Sequence, residues 1–206
     1  MRLEEVIFDV SEALRVPVLI LVVAALAAVL VELGAFVVEL LRRRRRDTGR
    51  LERAATSARE ALARGDLPAA QGLLWQVAPS TAMASALGVI AARVNGAHGE
   101  DRVAKALADF DYASLRRLER TRLLVRAGPA LGLMGTLIPL SPALAGLAEG
   151  NVTELSENLR LAFSITVLGL LVGLIGFGIS LVRDRLYGQD LSDLEFVAAT
   201  LRAEEA

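Results

Sequence analysis

Three stretches of the chain are almost continuously apolar: residues 16–41, 127–148 and 161–182. Each exceeds the roughly 20 residues with which a helix, rising 1.5 Å per residue, crosses a hydrocarbon core of about 30 Å. Each therefore predicts a transmembrane helix. Elsewhere the apolar positions become periodic. Val6, Ile7, Val10 and Leu14 form a rough face that predicts a short amphipathic helix over residues 1–15, lying on the outer membrane surface. Leu51, Ala55, Ala58 and Leu62 recur at helical spacing until Gly65, Asp66 and Pro68 break the pattern. A second helix over 69–77 ends before Pro79, and a third, capped by Ser80 or Thr81, runs to about Val94 and closes at Asn95 and Gly96. From Glu100 to Arg126, Val103, Leu107, Phe110, Leu115, Leu118 and Leu123 keep the period up to the second apolar stretch, which predicts one long helix leaving the membrane. No alternating run of β-branched residues supports a sheet. The fold class read from this pattern is all-α: an integral membrane protein with three transmembrane helices and a helical cytoplasmic region, its long helices extending from the membrane.

Two of the apolar stretches carry a second pattern. Gly128, Gly132, Gly135, Pro139, Pro142 and Gly146 step by four and then three, and so do Ala162, Thr166, Gly169, Gly173, Gly176 and Ser180. That spacing stacks small residues on one helix face and leaves a groove where another backbone can approach. Two grooved helices predict a packed assembly. Pro139 and Pro142 each remove a backbone donor in mid-span, which predicts a bend there, either a hinge or a fixed element of packing.

Composition agrees with a membrane location. Hydrophobic residues make up 54% of the 206 and the mean hydropathy is +0.48, more than a soluble domain of this size keeps from water. The first apolar stretch is too long for a signal-peptide core and is followed by arginines, so it reads as a retained span. Net charge is only −1, but its distribution is uneven. Arg42, Arg43, Arg44, Arg45 and Arg46 follow the first span directly, and residues 42–126 carry 17 basic against 9 acidic side chains, whereas 149–157 carries acids and no base. Positive loops stay inside. This predicts a cytoplasmic region over 42–126, an outside N-terminus, an external turn over 149–160 and a cytoplasmic tail over 183–206. The arginine block reads as an anchor at lipid headgroups rather than a nucleic-acid site, because no aromatic residues interleave with it.

The candidate chemistry is sparse. With no cysteine, disulfides, thiolate catalysis and cysteine-based metal sites are excluded, and His98 alone cannot hold zinc. No P-loop lysine follows Gly128 and Gly132, no cofactor is implied, and no nucleophile, base and orienting group can be assembled, so the chain does not read as an enzyme. Glu32 lies ten residues before Arg42, about 15 Å below the arginines and near the midplane. A carboxyl there either serves a proton or water pathway or sits neutral among neighbouring helices in a shifted register. Glu39, beside the arginines, reads as an interfacial ion-pair partner. Thr136 and Thr166 adjoin the grooves; each either lines a pathway or bonds to the carbonyl one turn back on its own helix.

The run Gly128-Pro129-Ala130-Leu131-Gly132-Leu133-Met134-Gly135-Thr136 resembles the second span of the MotA/TolQ/ExbB proton-channel family, with its Gly-Leu-x-Gly-Thr core. Thr166-Val167-Leu168-Gly169-Leu170 resembles that family's Thr-x-x-Gly-Leu in the third span. Weaker similarity covers Arg64-Gly65-Asp66 through Leu74, Pro79 and Leu118-Glu119-Arg120, so the resemblance extends over about residues 50–185. The three-span layout is that of TolQ and ExbB rather than four-span MotA. Leu161 stands where those proteins commonly carry an acid, and Pro139 where glycine is usual, which marks a divergent TolQ/ExbB-like member.

The resemblance implies a stator-like subunit of an inner-membrane motor. Five copies would surround a dimer of a one-span partner whose membrane aspartate carries protons, or Na⁺, past Thr136 and Thr166. The alternative is a non-conducting membrane scaffold whose arginine-rich cytoplasmic region recruits another protein.

Overall fold

The computed structural model describes residues 3–43, 48–96, 98–148 and 150–202. Among these residues there is no strand, and the helices are α1 (Leu3–Ala13), α2 (Arg15–Arg43), α3 (Thr48–Ala63), α4 (Leu67–Val77), α5 (Thr81–Arg93), α6 (Gly99–Ala148) and α7 (Val152–Arg202). Three helical stretches, Glu5–Arg43, Gly99–Ala148 and Val152–Arg202, are long and apolar enough to cross a membrane. The all-α reading with three long apolar helices holds.

Local chemistry sets the helix boundaries. Gly65 reverses the chain after α3 with φ of +78°, a left-handed value that glycine adopts without a steric penalty. The Asp66 carboxylate then accepts the Ala69 N–H at 3.0 Å and starts α4, with Pro68 in the first turn, where its missing N–H has no helical partner to lose. The Ser80 hydroxyl accepts the Met83 N–H at 3.2 Å and starts α5. Glu100 and Asp101 occupy the first turn of α6, where negative charge complements the helix dipole. α6 then continues through Pro129, Pro139 and Pro142 to Ala148, so neither mid-span proline ends it.

The connection to α7 is shorter than the turn read over 149–160. Asn151 Oδ1 accepts the Glu154 N–H at 3.1 Å, and Asn151 Nδ2 donates to the Glu154 carboxylate at 2.9 Å. This reciprocal cap starts α7 at Val152, and residues 152–160 form its first turns.

The chain divides into two compact units. The first comprises the chain up to Phe36 together with Glu119–Leu181. Here α2 and α7 run parallel: Arg15 donates to Asn158 Oδ1 at 3.1 Å, and further along both helices Val18 and Val22 pack on Ile165. Large apolar side chains face outward on all three helices, among them Val23, Val31, Leu133, Leu137, Phe163, Val167, Leu170 and Leu174. So much exposed apolar surface is suited to lipid or to other chains.

The second unit comprises Val37–Leu118 and the chain from Val182. Leu74, Met83, Leu87 and Ile90 from α4 and α5 are fully buried, joined by Val103 and Phe110 of α6 and by Leu194, Val197 and Leu201 of α7. α2 and α7 are parallel here too, because Glu39 meets Arg183 while Arg43, one turn on, meets Asp190.

Candidate functional site

Within the first unit the two small-residue faces pack against each other, so the groove on each helix is filled by the chain itself. A Cβ added at Gly128 would lie 2.6 Å from the Gly169 carbonyl oxygen and 2.8 Å from the Gly173 nitrogen. One added at Gly169 would lie 2.5 Å from the Gly128 oxygen and 2.8 Å from the Gly132 Cα. The seam continues in both directions. Gly173 faces Pro129, Gly176 faces Thr121 and Val125, Gly135 faces the Ile165 side chain, and Gly146 faces Glu154. Small residues spaced by four and three therefore bring main chain onto main chain along the hairpin.

Both threonines of the resemblance lie along this hairpin and are half-buried. The Thr166 hydroxyl is within hydrogen-bond distance of two carbonyls, that of Ala162 on its own helix at 3.1 Å and that of Gly132 across the seam at 3.4 Å. The Thr136 hydroxyl donates to the Leu133 carbonyl at 2.7 Å. Thr136 is one turn beyond Gly132, so the two hydroxyls are offset by about 6 Å along the axis. A hydroxyl has one proton and two lone pairs. With the proton committed to a carbonyl, each oxygen keeps acceptor capacity toward a further donor.

Pro139 is buried and, with Gly135, Ile138, Leu161, Ile165, Val18, Leu19 and Arg15, lines a small apolar cavity of about 10 Å³. Pro142 is half-buried. Glu32 is half-buried on α2 and interacts with other groups rather than standing as a bare charge.

The arginine block divides. Arg42 is exposed, while Arg44, Arg45 and Arg46 lie outside the described residues. Arg43 departs from the anchor reading: it is buried, and its Nη1 and Nη2 donate to the two Asp190 oxygens at 2.8 and 2.7 Å. Asp190 is only 1% exposed, so its charge needs a buried counter-ion, and Arg43 supplies it. Glu39 joins the cluster, accepting from Arg43 at 3.3 Å and from Arg183 Nε at 3.2 Å.

Burial alone would lower the pKa of Arg43, but the bonds and charge of Asp190 outweigh it and raise the value. Tyr187, whose ring centroid is 5.9 Å from the Arg43 guanidinium carbon, has its phenol pushed up by burial and then by the Glu39 charge. The Arg43–Asp190 and Arg15–Asn158 pairs escaped the sequence reading. Their trace was faint: a polar side chain at each flank of the first and third apolar stretches.

A protein-family model described as the MotA/TolQ/ExbB proton channel family matches residues 90–186. No curated protein sequence matches the chain. The matched residues include both threonines, the whole seam and the second and third apolar stretches. Over this segment, which forms the hairpin, the chain is similar to the MotA/TolQ/ExbB proton channel family, and the match is consistent with membership of it.

Proposed function

We propose that this protein is the channel-forming, stator-like subunit of an inner-membrane motor, coupling proton-motive force to mechanical work through a one-span partner. The observation that carries the reading is the pair of carbonyl-anchored hydroxyls at Thr136 and Thr166, in stretches that hold no carboxylate of their own. A proton path along them needs a titrating group from elsewhere, an aspartate on the partner or Glu32. The free lone pairs of the two hydroxyls would accept a hydrogen bond from that acid when protonated, and from water when it is not. Removing them should raise the barrier to proton entry without disturbing the seam.

In this reading five copies surround a dimer of the partner. The N-terminus and the α6–α7 turn lie outside, and 42–126 and the tail from 183 lie in the cytoplasm. Arg42 and the arginines after it anchor the inner headgroups. The departures at Leu161 and Pro139 support a divergent TolQ/ExbB-like branch.

The test is Thr136→Val with Thr166→Val in complexes reconstituted with the partner. Proton flux is expected to fall at least tenfold while the native mass of the complex is unchanged. Undiminished flux would overturn the reading. If the region 42–126 then captured a client without the one-span partner, the scaffold alternative would replace it.

A further inference from the structure

The buried charges of the second unit alternate in a way that their stability does not explain. Along α2 the order is Glu39 then Arg43, and along the parallel α7 it is Arg183 then Asp190. Acid faces base at both levels, and three of the four, Arg43, Arg183 and Asp190, are buried. Burying ion pairs is a poor way to gain stability, since apolar side chains of similar volume often serve as well or better. The cluster also carries a defect, because Arg43 Nε is buried with no hydrogen-bond partner among the described residues. An arrangement that is costly and imperfect, yet keeps a definite order of charge, is suited to selecting one geometry over its neighbours.

The neighbouring geometries are well defined. The stretch of α2 before Glu39 is largely aliphatic, with Val, Leu, Ala and Ile between residues 16 and 38. Beyond the Arg15–Asn158 bond at its start, such an apolar helix has few polar contacts to fix its axial setting in lipid, because lipid tails are as apolar as its neighbours. Consider a slip of one turn, about 6 Å for four residues. Moved toward its own C-terminus, α2 brings Glu39 to the level of Asp190, acid on acid. Moved the other way, it brings Arg43 to the level of Arg183, base on base. We propose that this order of charge is a register lock, in which the native setting pairs every charge and a one-turn slip in either direction buries two like charges together. The lock acts by penalising the wrong settings, as polar residues at coiled-coil seams do. Because α2 is one helix from Arg15 to Arg43, a slip would carry Glu32 with it.

The experiment exploits the absence of cysteine. Leu41→Cys and Ala199→Cys, both at exposed positions and well apart along the helix axis, take spin labels in the full-length protein in lipid nanodiscs, and the label-to-label distance reports the setting. Single neutralisations would take from Asp190 or Arg43 the buried charge it bonds at 2.7 Å and destabilise the fold, so paired variants are used. R43D/D190R restores both interhelical pairs and gives up only the Glu39–Arg43 contact within α2, but its α2 reads acid, acid and its α7 base, base, so a slipped setting also pairs acid with base. It is expected to fold and to give, beside the parental distance, at least one further distance shifted by several ångström, somewhat less than the axial rise of about 6 Å per turn. R43M/D190L, which keeps Glu39 opposite Arg183 but removes both like-charge clashes, is expected to broaden the distribution in the same direction. A single parental distance in R43D/D190R would overturn the lock, whether or not R43M/D190L folds, because the swap keeps both interhelical pairs and removes the penalty, and the loss of the Glu39–Arg43 contact within α2 gives the native setting no added advantage.

Discussion

The two units are held together by opposite means. In the first, glycine brings backbone onto backbone, and the large side chains of the same helices point outward. In the second, the large side chains point inward, and Leu74, Met83, Leu87, Ile90 and Leu194 are almost wholly buried. The difference follows from the solvent each composition is suited to. Lipid gives no reward for hiding leucine, so helices associate there through close approach and dispersion contacts. Water rewards each buried leucine by about 1.5–3 kcal/mol, and helices such as α4 and α5 collapse around them.

The largest test of this contrast is Gly169→Leu. With a Cβ only 2.5 Å from the Gly128 oxygen, the hairpin cannot close, and the expected outcome is loss of folded protein in detergent-solubilised gel filtration. Next is Leu87→Ala, which leaves a cavity in the second unit and should destabilise it by about 2–5 kcal/mol, read as a fall in thermal midpoint. Asp66→Ala removes the cap of α4 and should destabilise the protein by about 1 kcal/mol.

A smaller effect is expected from Tyr187. Its folded pKa is raised, so the folded state holds the phenol proton more tightly than the unfolded state does. The associated stability is complete below the ordinary value of 10.0 and is lost as pH climbs above it toward the folded pKa. Tyr187→Phe should flatten the stability profile in that alkaline window. Least of all should come from Leu174→Ala. This residue is 68% exposed on the outer face of α7, and if the first unit is built as described, the thermal midpoint should barely move. A loss as large as that of Leu87→Ala would mean that the exposed face is a packing surface.

Much of the fold was legible because its signals are long. Twenty-residue apolar stretches, caps at Asp66 and Ser80, and steps of four and three are repetitive and need no knowledge of distant contacts. The small-residue runs even marked the surfaces that meet, though not that they meet within one chain. The start of α7 was missed because Asn151 and Glu154 form a cap only through a pair of side-chain bonds, and the acidic residues there suggested a loop. Arg43 was misread for a different reason. In a run of five arginines nothing local distinguishes the second, and only Asp190, 147 positions later, draws it inward.

The hairpin seam also restricts how the protein can change. A side chain that intrudes can be answered by trimming its neighbour, and at Gly135, which faces the Ile165 side chain, a smaller residue at 165 could make room. Between Gly128 and Gly169 both walls are main chain, and nothing there can be trimmed. Second-site suppressors should arise around the first position and be absent opposite the second, so that genetic drift is reversible at one level of the hairpin and a dead end about two turns away.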